Sequence, residues 1–137
     1  YNVRMGDPEC QTILPRLKTD FLDIIINCCK GKLNEEINWK HEKSLCVVLC
    51  SKGYPEKYEN SLIENLDKID LKNNNFIFHA GTIYKNDKLY SDGGRVLNFV
   101  TLSHNFKNCR ENNLELIKKL KWKNGFCRND IGFKVID

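Results

Sequence analysis

The sequence lacks several features that would direct it to a membrane or to a nucleic acid. No apolar run approaches the length that crosses a bilayer, and the first residues show no signal-peptide pattern. Strips of clustered basic and aromatic side chains, internal repeats and low-complexity tracts are absent as well. The chain begins at Tyr1 rather than at a methionine. We therefore expect a piece of a longer cytoplasmic protein that binds neither membranes nor nucleic acids.

The cysteines do not form a recognisable metal or disulfide pattern. There are seven of them, an odd number, and no C-x-x-C pair occurs. Cys28 and Cys29 are adjacent, which is poor geometry for chelation or bridging. Cys46 and Cys50 lie on one face of an apolar strand and are typical of small core residues. The three histidines are far apart in sequence. We predict seven free thiols, as in a cytosolic protein, and no zinc site.

The composition is that of an ordinary globular chain. Its 137 residues are enough for one core, with 41% hydrophobic and 29% charged residues. The formal net charge of +4 is mildly basic. Most lysines alternate with Asn, Asp and Glu, as on solvated faces, and the densest group, 118–123, ends a predicted helix, where cations complement the helix dipole. The charge therefore requires no anionic partner.

The first part of the chain is predicted to be helical. Over residues 7–31, Asp7 is a predicted N-cap and Pro8 takes the first helical position. Pro15 should bend or end this first helix. Thr19 and Asp20 are the predicted caps of a second helix, and Gly31 is its stop. An apolar stripe at helical spacing joins the two helices: Leu14, Leu17, Phe21, Ile24, Ile25 and Cys28. Two helices cannot bury this stripe alone, so it must pack on another surface.

After a Lys/Asn-rich connector, from about residue 44 the pattern changes to short strands. We predict strands at 45–50, 76–79, 95–101 and 131–136, and a hairpin that pairs 82–84 with 88–90. One further helix follows the strand at 95–101. Its apolar period has one polar member, Asn113, and Ser103 or Asn105 is its predicted cap.

The residues richest in chemistry lie at the start of the chain, in the run Tyr1-Asn2-Val3-Arg4-Met5-Gly6-Asp7-Pro8-Glu9. On an extended strand, the spacing of Asn2 and Arg4 points both side chains to one face. A carboxamide oxygen suits a hard cation, and a guanidinium grips an anion at two points. The residues fit a plain structural interpretation equally well, with Asn2 in a turn, Arg4 in a surface ion pair and Asp7 as a helix cap.

This run resembles the Glu-aromatic-Asn-x-Arg-x-Gly-Asp-Pro-Glu signature that closes the ATP-grasp core of the glycinamide ribonucleotide synthetase (phosphoribosylamine–glycine ligase) family. The signature's first glutamate would precede Tyr1. Further segments resemble family blocks in the same order: 14–20, 51–55, 79–82, 93–97 and 128–132. Each block is weak alone, but the ordered set is specific and spans almost the whole chain. The stretches 32–43 and 56–75 match poorly.

The resemblance implies a reaction and a set of roles. The family joins glycine to 5-phosphoribosylamine at the expense of ATP, with Mg²⁺ (or Mn²⁺), in purine biosynthesis. It implies Asn2 as a metal ligand and Arg4 as the catalytic anchor of the substrate carboxylate or acyl phosphate. Asp7 would orient the ribosylamine or cap its helix. Lys52 and Arg95, in glycine-containing loops, would reach the ribose phosphate, or serve as a solvated lysine and an ion-pair arginine.

The expected fold is α+β. Residues 1–31 would form the edge of an ATP-grasp domain, 32–43 a connector, and 44–137 a small antiparallel, barrel-sandwich-like domain with one flanking helix. The partner of the chain would be the amino-terminal part of the same enzyme, which carries the nucleotide-binding sheet. We expect the isolated 137 residues to be inactive. The competing hypothesis is a non-catalytic, β-rich interaction module that packs on partner domains.

Overall fold

The computed structural model describes residues 2–33, 36–72 and 74–136. Tyr1 of the signature, Asn34 and Glu35 of the connector, and Asn73 before the second predicted strand lie outside the described residues. Within them the chain is α+β, as predicted, with antiparallel sheets and three α-helices.

The helices at the start of the chain follow their sequence signals. Helix α1 (Glu9–Ile13) continues into a 3₁₀ turn (Leu14–Arg16), because Pro15 cannot extend an α-helix. Helix α2 (Phe21–Cys29) has Asp20 as its N-cap, and the Asp20 carboxylate accepts hydrogen bonds from the backbone nitrogens of Leu22 and Asp23. It ends before Gly31, which has a φ of 64°. None of the residues in α1 or α2 is fully buried.

After α2, the described residues form seven strands, one α-helix and a 3₁₀ turn. The strands are β1 (Lys43–Ser51), β2 (Leu62–Ile63), β3 (Asn75–His79), β4 (Thr82–Lys85), β5 (Lys88–Ser91), β6 (Arg95–Ser103) and β7 (Gly125–Phe126). Helix α3 (Phe106–Lys119) follows β6 and is capped by the side chain of Asn105, one of the two predicted caps. The predicted strands at 45–50, 76–79 and 95–101 and the hairpin are confirmed. The two-residue strands β2 and β7 were not predicted.

The strands form two antiparallel sheets, one in the order β3-β6-β1-β7 and one in the order β2-β5-β4. The longest pairing joins β1 to β6, from Lys43 opposite Ser103 to Leu49 opposite Leu97. The register then shifts, so that Cys50 lies opposite Arg95 and Val96 is the extra residue of a β-bulge. The arrangement agrees with the expected antiparallel domain, and its barrel-sandwich character stays a prediction.

The two faces of the larger sheet meet different helices. Alternate residues of β6, including Leu97, Phe99 and Thr101, face α3 and the main hydrophobic core. The opposite face carries Cys46 of β1, which lies beside Thr12 of α1. The sheet is therefore sandwiched between α1 on one side and α3 on the other.

The connector (32–43) is hydrogen-bonded to the segment between α1 and α2. The backbone of Asn38 and Lys40 pairs with residues 16–19, through bonds from Lys18 to Asn38 (2.9 Å) and from Lys40 to Arg16 (2.7 Å). Leu17 and Trp39 form an isolated antiparallel bridge. The described part of the connector is thus tied to the 3₁₀ turn before it enters β1.

Two local predictions are wrong. Asp7 does not cap α1: its carboxylate bonds to Gln11 and Arg95, and no side-chain cap is present. Residues 131–136 form no strand, because Gly132 has a φ of 76° and begins a 3₁₀ turn over Phe133–Val135. Their alternating pattern finds no strand partner among the described residues.

All seven cysteines are free thiols. Across the described ranges, no helix is long and apolar enough to span a membrane.

Candidate functional site

The signature segment is organised around the carboxylate of Glu9. Gly6 is buried, and its carbonyl oxygen accepts a hydrogen bond from the backbone nitrogen of Cys10 (2.9 Å), so the helical turn effectively starts there. Glu9 Oε2 accepts from the backbone nitrogen of Gly6 at 3.2 Å and from Asn2 Nδ2 at 3.4 Å. A Cβ at position 6 would clash with this carboxylate. One carboxylate therefore holds both the turn and the amide of Asn2.

Glu9 accepts from the amide nitrogen of Asn2, so the carboxamide oxygen of Asn2 is not used in this contact. Arg4 is exposed, and its Nη1 donates to the carbonyl oxygen of Met5 at 3.1 Å. The chain bends at Val3 and Arg4 and forms no strand there. The strand alternation expected to place Asn2 and Arg4 on one face is therefore not the local structure.

Asp7 and Arg95 meet although 88 residues separate them. Arg95 Nη2 lies 3.2 Å from Asp7 Oδ2, and Arg95 Nη1 donates to the backbone oxygen of Asp7 at 3.1 Å. The other carboxylate oxygen of Asp7 accepts from Gln11 Nε2 at 3.0 Å. Both charged side chains are 42% exposed, so solvent screens their attraction.

The β-bulge at Val96 decides which way Arg95 points. Without it, Arg95 would lie opposite Ser51 and share the face of Leu97, which is the α3 side of the sheet. With it, Arg95 lies opposite Cys50 on the α1 side, where Asp7 is. The extra residue thus brings the arginine to the signature segment.

Lys52 lies at the same end of the sheet. Its backbone nitrogen donates to the carbonyl oxygen of Asn124 at 2.7 Å, and its side chain is exposed. The preceding residue, Ser51, bonds to the turn before Arg95, through its nitrogen to Gly94 (2.8 Å) and its hydroxyl to Gly93 (2.7 Å). The structure therefore brings Asp7 and Arg95 into contact and places Lys52 near the start of β6, without a bond between Lys52 and the other predicted site residues.

The thiols beside this site are poor nucleophiles. Burial raises the pKa of Cys46 to about 12, while the neighbouring side chain of Thr12 opposes the shift and the charge of Asp7 adds to it. Burial also raises the pKa of Cys50, while the charge of Arg95 lowers it. Both thiols stay protonated near neutral pH, which argues against thiolate chemistry here.

A separate cleft of about 660 Å³ lies beside the smaller sheet and is lined in part by His79, Tyr84 and Asp67. His79 Nδ1 is 2.9 Å from Thr82 Oγ1, an ordinary satisfied histidine. None of the five predicted site residues lines the cleft. Because the cleft holds none of these residues, we place the candidate site at the signature segment.

Sequence reasoning missed Glu9 as the organiser of this segment and missed the contact between Asp7 and Arg95. The first had a local signal, because a glutamate three residues after Gly6 matches the reach-back contact of a capping box. The second had none, since it depends on a long-range pairing and a bulge. Among the described residues, no group of three or more His, Cys, Asp or Glu side chains is placed to hold a metal ion.

Known proteins resemble this chain along almost its whole length. A family model described as phosphoribosylglycinamide synthetase, C domain, matches residues 44–134. The phosphoribosylamine–glycine ligase of Agrobacterium fabrum is 42% identical over 138 residues, covering 99% of this chain and 32% of the relative. That of Fusobacterium nucleatum is 42% identical over 135 residues, covering 96% of this chain and 32% of the relative.

The fold has a solved counterpart as well. The crystal structure of phosphoribosylamine–glycine ligase from Thermotoga maritima matches with a TM-score of 0.78 and 30% identity, covering 95% of this chain and 32% of that one. The present chain thus spans about a third of the length of these relatives. By its family match, its ordered motifs and its fold, the chain belongs to the phosphoribosylglycinamide synthetase C-domain family.

Proposed function

We propose that this chain is the carboxy-terminal part of an ATP- and magnesium-dependent phosphoribosylamine–glycine ligase. The reaction joins glycine to 5-phosphoribosylamine and yields glycinamide ribonucleotide, ADP and phosphate. The observation that carries the proposal is the match over 99% of the chain, at 42% identity, to a ligase of that name. The match includes the signature segment, which lies ahead of the C-domain region at 44–134.

The helices at the start of the chain support a division into two parts. In our proposal, residues 1–31 are the edge of an ATP-grasp domain, 32–43 connect it, and 44–137 form the C-terminal domain. Helix α2 exposes Leu22 by 63% and Ile25 by 42%, an apolar face that the rest of an ATP-grasp domain would cover. The seven strands found in the described part of the chain lie after residue 42.

Asn2 fits the role of one ligand to Mg²⁺ or Mn²⁺. Its amide nitrogen is engaged by Glu9, so the hard oxygen that such a cation prefers is the atom left for it. The remaining ligands would come from the amino-terminal part, including the glutamate that precedes Tyr1 in the family signature. The metal, when bound, neutralises charge on the ATP phosphates.

The other residues fit binding roles. Arg4, exposed beside Asn2, would anchor the substrate carboxylate or the acyl phosphate through its guanidinium. Lys52, with its exposed ammonium group, is proposed to reach the ribose phosphate. That Asp7 and Arg95 also contact substrate stays a prediction, and both remain partly open to solvent at 42% exposure.

A chimera tests the proposal directly. Residues 1–137 would replace the matching carboxy-terminal third of the Fusobacterium nucleatum ligase, and formation of glycinamide ribonucleotide would be measured with ATP, glycine and 5-phosphoribosylamine. We expect activity in the chimera and none in the isolated chain or in the host protein without its last third. A chimera that melts cooperatively and binds ATP but forms no product would favour the non-catalytic interaction module instead.

A further inference from the structure

We propose that Arg95 is a positioning residue for this reaction: it fastens the signature segment to the C-terminal module through Asp7, and so holds Asn2 in place for the metal. The inference rests on the proposed function and deepens it. It assigns a part of the site's geometry to strand β6, which belongs to the C-terminal module rather than to the segment that carries the metal ligand.

The contact is a two-point grip on one residue. Arg95 Nη1 binds the backbone oxygen of Asp7 at 3.1 Å, and Arg95 Nη2 binds its carboxylate at 3.2 Å. Gln11 holds the second carboxylate oxygen at 3.0 Å. A planar guanidinium that contacts a main-chain atom and a side-chain atom fixes the local backbone, which a single point charge does not.

The grip is built into the sheet. The bulge at Val96 turns Arg95 from the α3 side to the α1 side of the sheet, as described above. Bulges commonly re-aim a side chain beside a functional site. Both terminal nitrogens of the Arg95 guanidinium contact Asp7, so these two donors are already used within the chain.

A short chain of contacts links Asp7 to Asn2. Asp7 follows Gly6 directly, and the backbone nitrogen of Gly6 bonds to Glu9 Oε2 at 3.2 Å. The same oxygen receives the amide of Asn2 at 3.4 Å. Space around Gly6 is tight, because an added Cβ there would meet both the carboxylate of Glu9 and, at 3.1 Å, Asn2 Nδ2. A shift of Asp7 would therefore move the residues that orient Asn2.

The test is a double-mutant cycle in the chimera described above, with Arg95→Gln, Asp7→Asn and both together. Binding of Mn²⁺ in the presence of ATP is measured by electron paramagnetic resonance, and KM and kcat are measured for each substrate. We expect Arg95→Gln to weaken Mn²⁺ binding by roughly tenfold, as loss of an outer partner of a metal ligand does. The KM for 5-phosphoribosylamine should stay near its original value.

The effects of Arg95→Gln and Asp7→Asn on Mn²⁺ binding should not add. Arg95→Gln removes both contacts to Asp7, whereas Asp7→Asn keeps the backbone contact, so the double variant should bind Mn²⁺ no worse than Arg95→Gln alone. Arg95→Lys keeps the charge without the two-point grip and should fall between the original and Arg95→Gln. It also serves if Arg95→Gln does not fold. The matched control is Arg128→Gln, which breaks an exposed ion pair with Asp130 and should leave Mn²⁺ binding unchanged.

Three outcomes would overturn the inference: additive effects of Asp7→Asn and Arg95→Gln, unchanged Mn²⁺ binding in Arg95→Gln, or a loss confined to the KM for 5-phosphoribosylamine. The last would make Arg95 a substrate-binding residue. An inactive but folded parent chimera would instead refute the proposed function, and its Mn²⁺ titrations would still decide the role of Arg95.

Discussion

Asn113 is the polar member of an otherwise apolar helical stripe, and replacing it should destabilise the fold. Its side chain is fully buried on α3. Nδ2 donates to the carbonyl oxygen of Leu45 at 2.9 Å, and Oδ1 accepts from Thr101 Oγ1 at 2.8 Å. Thr101 also lies 3.0 Å from Asn75 Oδ1, so its hydroxyl has a second partner, whereas the Leu45 carbonyl would lose its side-chain donor.

The expected loss for Asn113→Ala follows from these contacts. A partly buried carbonyl that loses its side-chain donor costs about 1 to 3 kcal/mol. The space left by the removed carboxamide adds to this, so we expect about 2 to 4 kcal/mol in total. Asn113→Asp keeps the shape of the side chain but turns an acceptor toward the Leu45 carbonyl and buries a charge, so near neutral pH it should destabilise the fold more than Asn113→Ala. Part of the lost stability should return at lower pH, where the carboxyl is protonated.

Urea unfolding of the chain, followed by the fluorescence of the buried Trp122, measures the loss. For a chain of 137 residues, each kcal/mol corresponds to about 3 to 4 °C in Tm. The matched control is Asn112→Ala, one position away on the exposed face of the same helix, which should be neutral or slightly stabilising because alanine favours the helix. If Asn113→Ala costs no more than Asn112→Ala, the buried carboxamide does not stabilise the fold and the reasoning is wrong.

The remaining predictions concern backbone, thiol and site. In urea titrations, Gly53→Ala should lower the free energy of unfolding by about 3 kcal/mol and Gly31→Ala by about 1 kcal/mol. The backbone φ is positive at both positions, but only at position 53 would the new Cβ meet a backbone carbonyl oxygen. Equal losses would contradict this reasoning. The free energy of unfolding should fall as the pH rises from 9 toward 12, because the Cys46 thiol ionises in the unfolded chain but, with a pKa of about 12, stays protonated in the folded one. Cys46→Ala should make this fall less steep. An unchanged pH slope in the variant would contradict the prediction. In the chimera, Asn2→Ala and Arg4→Lys should each lower kcat by roughly a hundredfold or more with little change in Tm, and near-normal turnover would remove both from the site.

Helix ends and long strands could be predicted from the sequence, because each depends on one residue or on one short run of residues. The stop at Pro15 and the Asp20 cap depend on one residue each and appear where expected. The long strands were visible as β-rich apolar runs. Asn113 appeared in the sequence as a polar interruption of a helical stripe, and the structure supplies its reason, a buried pair of hydrogen bonds.

The errors arise where a distant partner competes with the local signal. Asp7 precedes a proline at a helix start, which is a good capping position, yet its carboxylate binds the guanidinium of Arg95 instead. Residues 131–136 alternate like a strand, but alternation alone supplies no neighbouring strand to pair with. Two carbonyls just before and within this segment, those of Asn129 and Ile131, bind the side chain of Arg110 on α3.

The geometry of the candidate site could be predicted only in part. The signature residues were identifiable by their resemblance to a family, and Glu9 had a readable helix-start spacing. The approach of Arg95 to Asp7 depends on one extra residue, Val96, in the pairing of β1 with β6. A bulge leaves no clear mark in the sequence, and a shift of one residue reverses the face of a side chain.

The position of β6 in the larger sheet has a consequence for synthesis of the chain. β6 lies between β1 and β3, and both of those strands precede it in sequence. While the ribosome is still translating the stretch before Arg95, β1 and β3 are complete but lack their common partner, so each presents an edge of unpaired backbone N–H and C=O groups. Stalled or truncated products that end before Ser103 should therefore be prone to aggregation. Once the chain includes all of β6, this strand pairs with both β1 and β3 and covers the exposed edge of each.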